Sequence, residues 1–192
     1  MSFENLNLNP DILKAIKDSG YTTPTPIQEQ AIPELLAGHD IMASAQTGTG
    51  KTAAFMLPAL HRLATPSKIN CRGPRILVLT PRRELALQVS EAASKYGKYI
   101  KRIKVVSILG GMPYPLQNKL LSQPVDILVA TPGRLIDHIQ RGRIDFSRLE
   151  MLVLDEADRM LDMGFIDDVE KIAGSIPNNH QTLLFSATLD NS

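Results

Sequence analysis

Six short apolar segments recur along the chain, with amphipathic stretches between them. The apolar segments are Asp40–Ala45, Arg75–Leu79, Val105–Leu109, Asp126–Ala130, Met151–Asp155 and Thr182–Ser186. They lack strict alternation of apolar and polar residues, which is typical of strands that are buried on both faces of a sheet. The intervening stretches, which include Thr52–Leu63, Arg83–Tyr96 and Arg134–Arg141, have the amphipathic pattern of helices. Strands that alternate with helices predict an α/β fold, with a mainly parallel sheet sandwiched between helices.

The amino-terminal region contains no strand-like segment. It predicts two short helices, Pro10–Ser19 and Pro26–Leu36, because a proline stands at the start of each and a turn-forming stretch joins them. Ligands of open parallel sheets bind beyond the carboxyl ends of the strands. The residues that directly follow the apolar segments are therefore the candidates for function.

Composition limits the class of protein. The chain has 192 residues, 43% of them hydrophobic, and 21 basic residues against 20 acidic ones. These values predict one domain with a real core, and they argue against a disordered tail or a wholly basic nucleic-acid module. The single cysteine, Cys71, excludes an internal disulfide, and neither a signal peptide nor a membrane-length apolar run is present. We expect a soluble cytoplasmic domain.

The first apolar segment leads into a glycine-rich loop, AQTGTGKT, that opens a helix at residues 45–52. Gly48 and Gly50 let the backbone turn its N–H groups toward phosphate oxygens, and the helix amino terminus adds partial positive charge. Lys51 is predicted to reach the β and γ phosphates, and the Thr52 hydroxyl to ligate Mg²⁺. The alternative is a turn that only caps a helix, but strand, loop, Gly-Lys-Thr and helix in that order favour a nucleoside triphosphate.

Carboxylates follow the fifth apolar segment, in the sequence DEAD at residues 155–158. Asp155 is predicted to lie on the metal side, opposite Thr52, and Glu156 to orient or deprotonate an attacking water. Taken alone, such a cluster is more often charge at a helix amino terminus. The phosphate loop makes the catalytic interpretation the better one.

Together these motifs resemble the DEAD-box ATP-dependent RNA helicases, whose name is spelled by residues 155–158. The resemblance covers almost the whole chain and implies a single RecA-like P-loop domain over residues 1–192. Its Q-motif region would be residues 1–30 and its ATPase core residues 31–192. ATP and Mg²⁺ are the implied cofactors. The stretches GGMPY and RMLDMGF resemble bacterial, RhlE-like members.

The resemblance assigns roles around the nucleotide. GYTTPTPIQ, ending at Gln28, resembles the adenine-recognising Q motif, and Phe3 resembles its isolated upstream aromatic residue. A glutamine amide both donates to and accepts from the adenine edge, and Tyr21 offers a ring to the base; core packing is the alternative for Phe3 and Tyr21. The implied nucleotide-binding residues are Phe3, Tyr21, Gln28, Ala45, Gln46, Thr47, Gly48, Thr49, Gly50, Lys51 and Thr52. Lys51 and Glu156 are the implied catalytic residues, with Thr52 and Asp155 toward the metal.

Three further motifs resemble those that hold the RNA backbone in the family. The implied RNA-binding residues are Pro81, Arg82, Arg83, Gly110, Gly111, Thr131, Gly133 and Arg134. Arg82 departs from the family pattern, which has threonine there, and a charged, longer side chain changes how a phosphate is contacted. Asp158, Ser186 and Thr188 are implied to couple ATP hydrolysis to unwinding. The basic cluster from Lys95 to Lys104 is interpreted as a solvated helix end rather than an RNA patch.

The function that follows is ATP-dependent unwinding or remodelling of RNA duplexes. We expect a monomer that contacts the backbone of the RNA, with little sequence specificity, and that does not bind a membrane. In this family a second RecA-like domain supplies arginines to the transferring phosphoryl group. We expect that domain to lie outside this chain, so that these residues bind adenine nucleotide but do not unwind. The alternatives are an ATP- and RNA-binding module without turnover and a P-loop phosphotransferase.

Overall fold

The computed structural model describes residues 2–46 and 50–187, and it contains the predicted parallel sheet. The strands are β1 (Ile41–Ser44), β2 (Ile76–Leu79), β3 (Val105–Ile108), β4 (Ile127–Ala130), β5 (Met151–Leu154) and β6 (Gln181–Ser186). They form one sheet in the order β1-β6-β5-β2-β4-β3, and every neighbouring pair is parallel. Each strand coincides with one of the six apolar segments, so this part of the prediction is confirmed.

Eight α-helices and one 3₁₀ turn (Phe3–Leu6) surround the sheet in the described part of the chain. The helices are α1 (Pro10–Asp18), α2 (Pro26–Leu36), α3 (Lys51–Leu63), α4 (Arg83–Tyr96), α5 (Tyr114–Leu121), α6 (Pro132–Gln140), α7 (Ala157–Asp162) and α8 (Ile166–Gly174). The predicted helices correspond to α1, α2, α3, α4 and α6. The remaining helices, α5, α7 and α8, were not predicted.

The core has two parts, one on each face of the sheet. In β2, Ile76 and Val78 belong to a cluster with side chains of α2, α3 and α4. Leu77 and Leu79 belong to a second cluster with side chains of α6 and α8. Because alternate residues of a strand point to opposite faces, a strand buried by both clusters has to be apolar throughout.

Strand β1 differs from this expectation. It lies at one edge of the sheet, and Met42 is 66% exposed. The outermost strand of a sheet has a neighbouring strand on one side only, and the layers that cover the sheet can end before they reach it. An unbroken apolar run in such a strand therefore does not imply burial on both faces. The prediction of burial on both faces holds for the central strands β2 and β4, in which every residue is buried.

The parallel arrangement places the carboxyl ends of all six strands along the same side of the sheet, perpendicular to the strands, which we call the sheet edge. That edge is where the predicted motifs begin. No helix within residues 2–46 and 50–187 is long and apolar enough to cross a membrane.

Candidate active site

The strand order divides the motif residues into two groups along the sheet edge. In one group, the phosphate loop follows β1, Ser186 ends β6 and the DEAD residues follow β5, and these three strands are adjacent. The predicted RNA-binding motifs follow β2, β4 and β3, which form the other half of the sheet. The two groups meet where β5 lies beside β2.

A cavity of about 510 Å³ lies on the nucleotide side. The predicted residues that line it are Phe3, Tyr21, Gln28, Gly50, Lys51, Thr52, Arg82 and Asp155. The structure therefore brings the Q-motif region, the end of the phosphate loop and the first carboxylate of DEAD to one site. Of the other loop residues, Ala45 is buried and Gln46 exposed, whereas the predicted Thr47, Gly48 and Thr49 lie outside the described residues.

Gly50 closes the phosphate loop and precedes the first residue of α3. Its φ of +82° is in the left-handed region that glycine adopts freely. A Cβ atom built there would lie 2.5 Å from Gln28 Nε2 and 2.8 Å from Thr25 Oγ1. The loop and the amino end of α2 are therefore so close that only glycine fits between them without a shift.

Gln28 joins these two elements. Its Oε1 accepts a hydrogen bond from Thr25 N at 3.0 Å, which caps α2, and its Nε2 donates to Gly50 O at 3.1 Å. A glutamine amide has two donor hydrogens and two acceptor lone pairs, so one of each remains for a ligand. Thr25, whose side chain belongs to the capping box of α2, lines the same cavity.

Lys51 and Asp155 form a buried ion pair at the floor of the cavity. Lys51 Nζ lies 2.7 Å from Asp155 Oδ1, and both side chains are less than a tenth exposed. Burial raises the pKa of the Asp155 carboxyl above its usual range, and the charge of Lys51 opposes that rise. A buried cation and carboxylate held together in this way are the pair that a phosphate and a divalent cation would separate.

The donor atoms present fit Mg²⁺. Asp155 Oδ1 is paired with Lys51 Nζ, and Thr52 is the second residue of the helix that Lys51 begins. Within residues 2–46 and 50–187 no group of three His, Cys, Asp or Glu side chains could hold a metal ion. Proteins usually bind Mg²⁺ through one or two side-chain oxygens together with substrate phosphates and water.

Glu156 adopts a backbone conformation that is rare for its residue type. Its φ of 54° and ψ of 49° are left-handed, in the turn between β5 and α7. Its carboxylate forms a bidentate ion pair with Arg82, whose Nε donates to Oε2 at 2.8 Å and whose Nη2 donates to Oε1. The predicted hydrolytic residue is thus paired with a residue that was assigned to RNA. The RNA role of Arg82 stays a prediction.

Phe3 and Tyr21 occupy different environments. Phe3 is 6% exposed and packs in the core, yet it also lines the cavity, so the two interpretations of this residue do not exclude each other. Tyr21 is half exposed, and Lys95 Nζ lies 4.6 Å from the centre of its ring.

One face of α4 completes the cavity and was missed from the sequence. It presents Glu84, Gln88, Glu91 and Lys95, which are spaced by four, three and four residues. This spacing follows one side of a helix, and the polar face of the Arg83–Tyr96 segment carried that signal. Lys95, which was interpreted as part of a solvated helix end, is exposed and also lines the cavity.

The predicted RNA-binding motifs contact one another. Arg83 Nη2 donates to Gly110 O at 2.8 Å, and Gly110 N donates to Thr131 Oγ1 at 3.3 Å. Arg134 Nη1 donates to Met112 O at 2.6 Å. Pro81, Gly111 and Gly133 lie in the same three segments, with Gly111 in a left-handed conformation at φ +86°.

Two buried polar residues behind this cluster were also missed. Gln117 is fully buried, with its Nε2 donating to Leu109 O at 2.9 Å and its Oε1 within 2.6 Å of His138 Nε2. Burial also lowers the pKa of His138. Both residues lie on helices that pack against the sheet, α5 and α6, and no local sequence pattern pairs them.

The predicted coupling residues lie on two packed elements. Asp158 lies in α7 and Ser186 ends β6, and α7 packs against β6. Thr188, the third of these residues, lies outside the described residues.

Comparison with known proteins agrees with this arrangement. The sequence model of a family described as DEAD/DEAH box helicase matches residues 25–192. A protein named ATP-dependent RNA helicase DeaD from Buchnera aphidicola subsp. Schizaphis graminum is 54% identical over 188 residues, 98% of this chain and 31% of that protein. The protein of the same name from Escherichia coli (strain K12) is 52% identical over 188 residues, 98% of this chain and 29% of that protein.

A solved structure shares the fold. The crystal structure of a DEAD box protein from the hyperthermophile Methanococcus jannaschii has a TM-score of 0.89 and 42% sequence identity. It covers 99% of this chain, which in turn covers 51% of that one. The likeness confirms the predicted RecA-like fold. The chain spans about 30% of the length of the curated relatives it matches.

Proposed function

Because the chain belongs to the DEAD/DEAH box helicase family, we propose that it is the ATP-binding part of an ATP-dependent RNA helicase. The observation that carries this proposal is that the motif residues at the carboxyl ends of the strands form two neighbouring groups. The cavity that contains the end of the phosphate loop and Asp155 extends to Arg82, the chain neighbour of the cluster formed by Arg83, Gly110 and Thr131. An enzyme that only transfers a phosphoryl group to a small acceptor has no need of that second cluster.

The nucleotide would be held mainly by its phosphates. Lys51 exchanges Asp155 for the β and γ phosphates, and the backbone of the phosphate loop donates to them. Thr52 and Asp155 would hold Mg²⁺, which when bound spreads the charge of the transferring phosphoryl group. Gln28, already tied to Gly50, reads the adenine edge with its remaining donor and acceptor.

Hydrolysis requires a water in line with the γ-phosphate. Glu156 orients this water and accepts its proton as the new P–O bond forms and the bond to ADP breaks. The products are ADP and inorganic phosphate. Asp158, Ser186 and Thr188 connect this chemistry to β6 and α7.

RNA would bind along the other half of the sheet edge. Arg83, Arg134, Thr131 and the glycine pair offer donors suited to phosphates and 2′-hydroxyls of one strand, which gives affinity with little base readout. We assign residues 1–30 to the Q-motif region and 31–192 to the ATPase core. A second RecA-like domain, elsewhere in the longer protein, would close over the nucleotide in a cytoplasmic monomer.

The test separates binding from chemistry in the full-length protein. Glu156→Gln should retain ATP and RNA binding and lower RNA-stimulated ATP hydrolysis by about 10²-fold or more, since an amide cannot accept the proton. Lys51→Ala should instead weaken ATP binding. Glu170→Gln, which removes an exposed carboxylate on α8, is the matched control and should hydrolyse ATP normally. Normal turnover by Glu156→Gln, measured as phosphate release, would assign the chemistry to another residue.

A further inference from the structure

Arg82 and Glu156 meet because of the strand register. Strands β2 and β5 pair in parallel, with Leu79 opposite Leu154. The residues that leave these two strands therefore start from the same level of the sheet. Arg82 is the third residue beyond β2 and Glu156 the second beyond β5, so two residues 74 positions apart in sequence lie side by side.

The pair has the geometry of a fork. The Nε and Nη2 atoms of Arg82 each donate to a different oxygen of the Glu156 carboxylate. Both oxygens that Glu156 would offer to an attacking water thus already accept a hydrogen bond from a cation. Charge-assisted bonds of this bidentate kind are stronger and more directional than single neutral ones.

The two members differ in their access to solvent. The Glu156 side chain is 16% exposed, whereas the Arg82 side chain is 41% exposed. The arginine is therefore the member that an outside ligand reaches first. It stands at the amino end of α4, next to Arg83, which contacts the Gly110 loop at 2.8 Å. Arg82 therefore lines the nucleotide cavity and is also the chain neighbour of a side chain in the predicted RNA-binding cluster.

We propose that Arg82 is a positioning residue that holds the Glu156 carboxylate while no RNA is bound and releases it when an RNA phosphate takes the guanidinium. The inference rests on the proposed function and adds to it a residue that makes ATP hydrolysis depend on RNA. A phosphate offers the same pair of oxygens as a carboxylate, so the exchange replaces one fork with another. Threonine, the residue of the family pattern at this position, has neither the charge nor the length to form either fork.

The experiment compares Arg82→Thr and Arg82→Lys with the wild-type full-length protein. Without RNA, the kcat of Arg82→Thr for ATP hydrolysis should rise by about 3- to 10-fold, the range that a partly exposed charge-assisted pair can impose. The KM for ATP should stay within about twofold of the wild-type value, since Lys51 and the phosphate loop are untouched. The slope of log affinity against log salt for single-stranded RNA should fall by about 0.7, because one phosphate contact is lost.

Arg82→Lys keeps the charge and removes the fork. It should raise the RNA-free kcat as Arg82→Thr does, but retain the wild-type salt slope. The double variant Arg82→Thr, Glu156→Gln should hydrolyse ATP no faster than Glu156→Gln alone, which shows that the gain passes through Glu156. The control variant Arg102→Thr removes an exposed arginine that precedes β3, at the end of the strands opposite to the site. It should leave the RNA-free kcat and the salt slope of RNA binding unchanged.

The outcomes that contradict the inference are distinct from those that contradict the function. RNA-stimulated ATPase in the wild type, together with an unchanged or lower RNA-free kcat in Arg82→Thr, overturns the role of Arg82 alone. Absence of RNA-stimulated ATPase in the wild type overturns the proposed function and this inference together.

Discussion

At the scale of single residues, Gln28 shows how one side chain serves both structure and recognition. Its oxygen caps α2 through Thr25 N, and its amide nitrogen reaches Gly50 O in the phosphate loop. The side chain is 6% exposed, so these bonds orient it within the cavity. An adenine edge would meet an amide whose direction is already set, which lowers the cost of ordering it on binding.

We therefore predict that Gln28→Ala weakens ADP binding by about 1–3 kcal/mol and removes the preference for ADP over GDP. Gln28→Glu keeps an oxygen to cap α2 but loses the donor to Gly50, so it should lose the preference while retaining more of the stability. Calorimetric titration with ADP and GDP, together with denaturant unfolding, distinguishes the two effects. Equal affinity of the wild type for ADP and GDP would remove the Q-motif assignment.

At the scale of elements, the amino end of α2 and the phosphate loop are packed around a residue without a side chain. Gly50 combines a left-handed φ with a close approach to Gln28 and Thr25. Gly142, which follows α6, has a similar φ of +70°, but a Cβ atom there would meet nothing within 4 Å. The two glycines thus share the backbone requirement and differ in the steric one.

This contrast predicts different outcomes for the same substitution. Gly142→Ala should lower the free energy of unfolding by about 1 kcal/mol, the cost of a left-handed alanine, and Gly50→Ala should lower it by more, because its methyl group also displaces Gln28. Only Gly50→Ala should also weaken ADP binding, by about tenfold, because its methyl group displaces Gln28. Thermal unfolding and ADP titration of both variants are the measurements. Wild-type ADP affinity in Gly50→Ala would show that the contact between α2 and the loop has no part in binding.

At the scale of the whole molecule, the proposed function assigns nucleotide to one half of the sheet edge and RNA to the other. The cavity lined by Gln28, Lys51 and Asp155 is open to solvent. The curated relatives are about three times as long as the matched segment, since it covers 31% and 29% of them. An arginine supplied from another domain is worth about 10³–10⁵ in rate in related phosphoryl transfers.

We predict that a protein of these 192 residues unfolds in one cooperative transition and binds ADP, yet does not unwind duplex RNA. The full-length protein should unwind it in an ATP-dependent manner. A strand-displacement assay on both proteins, at matched concentration, is the measurement. Unwinding by the shorter protein at a rate close to that of the full-length one would contradict the prediction.

Much of the fold was predictable because its signals are local. The apolar runs located all six strands, and proline and glycine positions located α1, α2 and the start of α3. The helix α4 was predicted with the bounds that the structure shows, Arg83–Tyr96. The helices α5, α7 and α8 were missed; α5 begins within the GGMPY stretch and α7 within DEAD, both of which were interpreted as motifs.

What the sequence determined by itself was therefore the elements and the residue types that follow each strand. These depend on periodicity and turn chemistry within a few neighbouring residues. Only the tertiary structure decided which elements lie side by side: the order of the strands, the edge position of β1 and the cavity face of α4. The pairing of Arg82 with Glu156 follows from the register of β2 on β5, a contact between residues 74 positions apart that no local pattern specifies.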